Sequence, residues 1–540
     1  MKKFSVIFIL VVLSLIAWRP LLNPGFFIIH DNQQIVRLAQ LDKSLLAGQF
    51  PVRYVPDLGF GFGYPLFNFY PPLVYYLGEL FHLALRIGFI DSIKLVWFVA
   101  LVGSALAMYF FAKEIFGKIG AVVAAMFYLY APYHAVDAYV RGALAELFSF
   151  VWLPLILLFS YKRNTVLTGI FLALLMLTHN LTFLPFLGLF IIWSMAIKNW
   201  RFPISILIAF GLTAFFWLPA LLEKQYTLVD QLLTTGQATY KIHFVCPEQL
   251  WNSLWGYGGS IAGCVDGLSF KVGKPHIFVA ILALIIAIWK RSRLIFTLVL
   301  LFILSAFMTT QYSRFVWDNI VPLWYLQFPW RFLEFVALFS SILAGSFVLI
   351  VKKKSWQIFI AAGLIFSVIY FHGKYFVPQT YLNTTDTEQT SEEQTKWVVS
   401  STSYEYLPKG GEFKNIQKED LPKTKYQTIS GDFAYQIENY NPDSFLLTGY
   451  SQSGATIQFA IANFPGWKVW VNGQEAPIDD NNKYKLITIK TGSDKQTITG
   501  KFTNTPPRTV GNSISVIFFI NLGVILLLRS RRLSRILRRY

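Results

Sequence analysis

The chain has 540 residues, of which 55% are hydrophobic, 17% aromatic and only 14% charged, and its mean hydropathy is +0.49. Soluble globular proteins carry about 25% charge, so a soluble enzyme is excluded, and the 51 Phe, 27 Tyr and 16 Trp exclude a disordered or fibrous chain. The net charge of +18 would suggest nucleic acid on a soluble domain, but membrane proteins concentrate Lys and Arg in cytoplasmic loops, so the placement of the basic residues decides.

Residues 1–18 read as an uncleaved first membrane helix, with a cleaved signal peptide as the alternative. Apolar segments of near-spanning length follow at 93–112, 119–135, 143–160, 164–180, 181–198, 202–219, 276–289, 294–309, 328–350, 355–372 and 511–528. Their short connections hold Lys113 and Lys118, Lys162 and Arg163, Lys198 and Arg201, Lys290, Arg291 and Arg293, and Lys352, Lys353 and Lys354. Lys2 and Lys3 precede the first helix, and Arg529, Arg531, Arg532, Arg535, Arg538 and Arg539 fill the tail. Positive-inside orientation places all of these, and both termini, in the cytoplasm. The excess charge is thus a topology signal, and nucleic acid is not a partner. An inside Lys113 requires an odd number of crossings between 19 and 112. Segment 71–88 carries Glu79, His82 and Arg86, each costly in hydrocarbon, so it is expected to lie on the outer face. The scheme has about twelve crossings, with about thirteen as the runner-up.

Three outer regions result: 19–92, 220–275 and 373–508. In the last, the apolar period changes to two at 455–461, 467–471, 484–489 and 497–502, and Asn472-Gly473 is a hairpin turn signal. A small antiparallel β-sandwich is expected there. Residues 383–395, rich in Thr, Glu and Gln, read as a surface stretch. Cys246 and Cys264 share the second outer region, an oxidising compartment in this topology, so a disulfide is expected, with two free buried thiols as the alternative. A metal site is not expected.

Polar residues collect at the outer mouth. Asp31, in His30-Asp31-Asn32-Gln33-Gln34, is either a helix N-cap in a capping-box pattern or a general base at the membrane surface. Arg37 follows as an anion contact or an interfacial arginine. Asp57 opens Asp57-Leu58-Gly59-Phe60-Gly61-Phe62-Gly63-Tyr64, a second carboxylate beside a glycine-aromatic stretch suited either to sugar faces or to a membrane belt. His134, Asp137 and Arg141 occupy the next outer turn, with Asp137 and Arg141 at i,i+4 spacing. Glu146 lies inside a span, where an ionisable group is a functional candidate, or else it pairs with Arg141. His179 sits in Thr178-His179-Asn180 between two spans, facing a cavity or capping a turn. Arg331, in Phe328-Pro329-Trp330-Arg331-Phe332, either pairs with Glu334 or presents its guanidinium fork to a lipid phosphate. Trp217-Leu218-Pro219 is expected to kink or end its helix.

Taken together, these motifs resemble bacterial polytopic membrane proteins related to 6-pyruvoyl-tetrahydropterin synthase, the YfhO-like proteins, within the GT-C glycosyltransferase superfamily. Glu405-Tyr406-Leu407-Pro408 and Phe464-Pro465-Gly466-Trp467-Lys468 add to the likeness. The resemblance implies a GT-C-like transmembrane domain over 1–372, an extracytoplasmic β-rich domain over 373–508, and a final helix with a basic tail over 509–540. It implies a multi-pass protein of the bacterial cytoplasmic membrane that moves sugar from a polyprenyl-phosphate donor to a glycan, lipid or protein acceptor outside, with inversion. Asp31 matches the first catalytic carboxylate and Asp137 the second, and Arg331 would meet the phosphate. No tight Asp-x-Asp pair is present, which puts divalent metal dependence in doubt. The competing reading is a non-catalytic protein that binds or presents a glycan or polyprenyl lipid in envelope assembly. A transporter is disfavoured, because no repeat is evident and the polar groups lie at one face.

Overall fold

The computed structural model describes residues 3–537. Lys2, Arg538 and Arg539 lie outside them, as do the side chains of Arg529, Arg531, Arg532 and Arg535. The chain divides into two units. One comprises Met1–Leu38, Pro72–Ser205 and Gln231–Gln389, and the other Ala39–Pro71, Ile206–Asp230 and Thr390–Tyr540.

The protein is a polytopic helical membrane protein with a C-terminal all-β portion. Among the described residues, five helices are long and apolar enough to cross a bilayer: Phe89–Leu129, Leu144–Tyr161, Pro329–Leu349, Lys354–Tyr375 and Pro506–Leu528. A bent pair, Phe202–Leu212 with Ala214–Tyr226 at 74°, makes a sixth if counted as one span. Shorter apolar helices cover Leu73–Leu85, Thr165–Thr178, Asn180–Ala196 and Arg293–Thr309.

In the first unit, Phe89–Leu129 has 41 residues, or about 60 Å at helical rise, twice the hydrocarbon thickness. It is broken at Gly117, whose φ of 69° and ψ of −174° leave the helical region. The break falls between Lys113 and Lys118, where a cytoplasmic turn was expected, and glycine takes this conformation without a Cβ penalty. The Asp386 carboxylate caps the start of this helix, accepting from the Phe89 and Ile90 amides at 2.8 Å each and satisfying donors a helix leaves open. Its own stretch, read from composition as a surface segment, forms a helical turn at Asp386–Gln389. Segment 71–88 is the 13-residue helix Leu73–Leu85, about 20 Å long and too short to cross the roughly 30 Å core alone. Two short strands, β1 (Phe26–Phe27) and β2 (Tyr381–Leu382), pair antiparallel. Cys246 and Cys264 are joined in a disulfide with Cα atoms 5.5 Å apart.

In the second unit the 74° bend lies at Thr213, six residues before Pro219, which sits inside the helix Ala214–Glu223, so of the two expected effects, a kink or an end, the proline does not end its helix. Proline cannot donate to the Phe215 carbonyl four residues back. The Arg53 guanidinium donates to that oxygen instead, at 2.8 Å. The β portion has two sheets. Strands β4 (Ala434–Asn441), β5 (Ser444–Ser451), β7 (Trp467–Val471), β8 (Gln474–Ala476) and β10 (Asp494–Phe502) form one in the order β4-β5-β10-β7-β8. Strands β3 (Tyr426–Gly431), β6 (Ala455–Ala462) and β9 (Leu486–Thr491) form the other in the order β3-β6-β9. All pairings are antiparallel. Val471 faces Gln474 across the Asn472-Gly473 turn, where both turn residues have positive φ, as the tightest hairpins require. Inward side chains from the two sheets meet in the core, with Phe445 and Phe459 stacked at 4.2 Å.

The glycine-aromatic stretch serves this same unit. Phe60 lies against Trp397, Tyr404 and Phe413, Phe62 stacks on Tyr484, and Tyr64 meets Tyr406. All three rings are at most 2% exposed. They are neither a sugar platform nor a membrane belt, because their faces are already taken by other rings. Gly63 (φ 81°) permits the loop, since a Cβ there would lie 1.7 Å from the Tyr54 hydroxyl.

Candidate functional site

The site is built in the first unit, between the ends of Phe89–Leu129 and Leu144–Tyr161. After the helix Pro132–Val136 the chain widens into one π-helical turn, Asp137–Arg141, and closes at Gly142 with φ 68°. A Cβ at Gly142 would meet Ile29 at 2.3 Å, so glycine lets the first outer loop approach this turn. The approach is secured by backbone and side-chain bonds. The His30 amide donates to the Val140 carbonyl at 3.1 Å, the Asp31 amide to the Arg141 carbonyl at 2.8 Å, and Gln34 to the Gly142 carbonyl at 2.9 Å.

Below this junction lies a buried charged cluster. Arg141 pairs with Asp137 and, at 2.9 Å, with Glu146. Arg331 reaches the same Glu146 oxygen at 2.9 Å and contacts the His179 ring at 3.3 Å. Tyr133 donates its hydroxyl to the other Glu146 oxygen. Glu146 and Asp137 are fully buried, and Arg141 and Arg331 are 7% and 12% exposed. The Arg141 guanidinium also lies 4.7 Å from the centre of the Trp330 ring, a cation–π contact. Burial and the Glu146 carboxylate push the Asp137 carboxyl up, against the pull of Arg141 and Arg331. Two polar atoms of the cluster are buried without a partner among the described residues, one Asp137 oxygen and the Arg331 Nε. A buried polar group left unpaired is costly.

Asp31 is half-buried, and its carboxylate has no hydrogen-bond or ion-pair partner among the described residues, although its charge reaches Arg141. The following helix begins at Gln34, which puts Gln33, not Asp31, at the N-cap position. His30 is exposed and contacts the Tyr257 carbonyl at 2.9 Å. Arg37 is buried and lies 3.5 Å from the Tyr75 hydroxyl, which donates to Gln34 at 2.7 Å. His134 is fully buried, stacks on Phe150 at 4.1 Å and contacts the Tyr128 carbonyl, so it is a core imidazole. Asp57 belongs to the second unit, held by Lys43 at 2.6 Å and Gln40 at 3.0 Å. Burial raises its pKa, but the Lys43 ammonium prevails and holds it below the ordinary carboxylate range.

The local Arg331–Glu334 pairing is replaced by the long-range one with Glu146. Glu334 instead accepts from the Ser149 and Thr182 hydroxyls, and Thr182 also contacts His179 at 2.8 Å. Tyr133, Ser149, Thr182 and Trp330 carry no sequence signal that separates them from ordinary helix residues. Glu334 does carry one, an ionisable group at the head of an apolar run, the same signal that singled out Glu146. Cys246, Glu248 and Cys264 bring ligand atoms within 4.8 Å of one another, but both sulfurs are spent in the disulfide.

No family model matches the sequence, and no curated protein matches it. Among solved structures, the chain is similar to the Archaeoglobus fulgidus oligosaccharyltransferase in its apo form, at 14% identity and a TM-score of 0.42, over 71% of this chain and 57% of that one. The same enzyme tethered to an acceptor peptide gives 13% identity and 0.43, over 71% and 56%. An arabinofuranosyltransferase from mycobacteria gives 15% and 0.38, over 71% and 27%. The chain thus spans little more than half of the archaeal enzyme and about a quarter of the mycobacterial one. Likeness at these values leaves the reaction open.

Proposed function

We propose that this protein is a multi-pass glycosyltransferase of the bacterial cytoplasmic membrane, with both termini inside. It moves a sugar from a polyprenyl-phosphate donor to a glycan, lipid or protein acceptor outside. One observation carries the reading: a carboxylate without a partner among the described residues, Asp31, is fixed by its own backbone to the turn that supplies Arg141. Asp31 accepts the proton of the acceptor hydroxyl. That oxygen bonds to the anomeric carbon as the bond from this carbon to the phosphate oxygen breaks. The electron pair leaves with the polyprenyl phosphate, and attack opposite the leaving group inverts the centre. Arg331, whose Nε has no partner among the described residues, offsets the charge growing on the phosphate. Asp137 positions the acceptor, and His30, Arg37, Arg141, Glu146 and His179 shape the binding surface, with His134 withdrawn from it into the core. The lipid-linked donor is the contribution of the resemblance to the GT-C superfamily, whereas the placing of 373–508 outside the membrane rests on the distribution of basic residues. Asp57 has a lesser claim, since Lys43 already occupies it.

A second reading, a non-catalytic protein that holds a glycan or polyprenyl lipid, is favoured by one observation: both arginines are already engaged by Glu146. Asp31→Asn separates the two. Transfer from a polyprenyl-phosphate sugar by the purified protein should fall by about 100-fold or more, with thermal stability unchanged. Equal rates in wild type and variant would remove Asp31 as the base, and no transfer by either would favour the second reading.

A further inference from the structure

The second unit holds a cavity of 380 Å³ that the proposed reaction does not use. It opens where the segment 419–424 crosses strands β3 and β6. Its volume lies in the range of small-ligand sites. Tyr426 and Tyr484 line it together with the carboxamides of Gln427 and Gln458 and the carboxylate of Asp420, while Phe62, its faces already covered, only closes the wall behind them. The polar groups are held in place. Gln427 donates to Gln458 at 2.8 Å, Gln458 to Thr488 at 3.3 Å, and Tyr484 to Asp420 at 2.8 Å. Phe62 in turn stacks on Tyr484. The pocket is thus a set of rings and oriented acceptors fixed before any ligand arrives, which lowers the ordering cost of binding.

We propose that this cavity is a binding site for a neutral glycan end of one or two pyranose units. A pyranose presents an apolar face of weakly positive C–H groups, which suits the ring of Tyr426, half-buried on the cavity wall. Its hydroxyls donate and accept in equal measure, which suits carboxamides and a carboxylate side by side. An anionic ligand does not suit it, because Glu419 and Asp420 outnumber Lys423 along the lining. A purely apolar ligand would cover these polar groups without giving them a hydrogen-bond partner. The proposal stands apart from the transfer reading, since it requires binding and no turnover.

The test uses the full-length protein in detergent with no lipid-linked donor present. The probes are maltose, cellobiose, mannobiose and chitobiose, with a glucuronic-acid disaccharide and an extended heptapeptide as competitors. Binding is followed by saturation-transfer NMR, and the footprint by backbone hydrogen exchange. At least one neutral disaccharide should bind and protect 419–427 and 458–460. Tyr426→Ala and Gln427→Ala should each weaken it by about tenfold without moving the melting temperature. Gln427 is exposed, so its variant keeps the test sound even if the tyrosine change unfolds the protein. The proposal is overturned by no binding at about 10 mM, a dissociation constant beyond which affinity is negligible. It is equally overturned by a footprint elsewhere, by affinity unchanged in both variants, or by preference for the acidic sugar or the peptide. Loss of sugar transfer in Asp31→Asn with disaccharide binding intact would show that the two sites fail separately.

Discussion

Replacing Glu146 by Gln tests whether the buried cluster is the keystone of its unit. The carboxylate is fully buried and accepts from Tyr133, Arg141 and Arg331. Glutamine keeps the volume but removes the charge that neutralises two guanidinium groups only 7% and 12% exposed. Removing one member of a buried ion pair typically costs about 3–5 kcal/mol, because the remaining charge stays desolvated and unpaired. Both arginines share one Glu146 oxygen, so the loss should fall in the upper half of that range. Arg331→Gln should cost less, because Glu146 keeps Arg141. The assay is reversible unfolding in mixed micelles, run on wild type, both single variants and the double variant. Coupling of about 1 kcal/mol or more between Glu146 and Arg331 is expected for residues in contact. A loss in Glu146→Gln below about 1 kcal/mol, the level of an exposed pair, would refute the cluster's structural weight. Strict additivity in the double variant would refute the pairing itself.

Phe60→Ala should cost about 3–5 kcal/mol by emptying the space among Trp397, Tyr404 and Phe413, and a loss under about 1 kcal/mol by unfolding would contradict the buried role of the loop. Cys246→Ser should remove about 3 kcal/mol, the loop-entropy value for a closure of 18 residues, and wild type in reductant should match the variant. Because Lys43 holds Asp57 below the ordinary carboxylate range, its contribution is complete above about pH 5 and is lost as the pH falls through its lowered native value. Asp57→Asn should therefore narrow the stability gap between pH 6 and acid, and identical pH profiles of wild type and variant would contradict the ion pair. A cysteine at position 115 should resist an impermeant reagent added to intact cells; efficient labelling would reverse the topology.

Composition and apolar period alone determined the membrane class, the helix break near Lys113, the hairpin at Asn472-Gly473 and the strands β6, β7, β9 and β10. These follow from short-range rules: the solvent chooses the composition, and backbone sterics choose the turn residues. Strand β3, with all residues after Tyr426 exposed, lacks the alternation that a buried face imposes, so its sequence does not announce it. The charged residues were visible too, but not their partners. Spacing along a helix suggests Arg331 with Glu334, whereas the folded chain gives Arg331 to Glu146, 185 positions away. The reason is desolvation. Once packing removes water from both groups, the partner that neutralises a buried guanidinium prevails over the one nearest in sequence. The same holds for the glycine-aromatic loop, whose rings suit a sugar, a bilayer or a core equally well by composition. Only the tertiary structure, by placing Trp397, Tyr404, Phe413 and Tyr484 against them, chose the core.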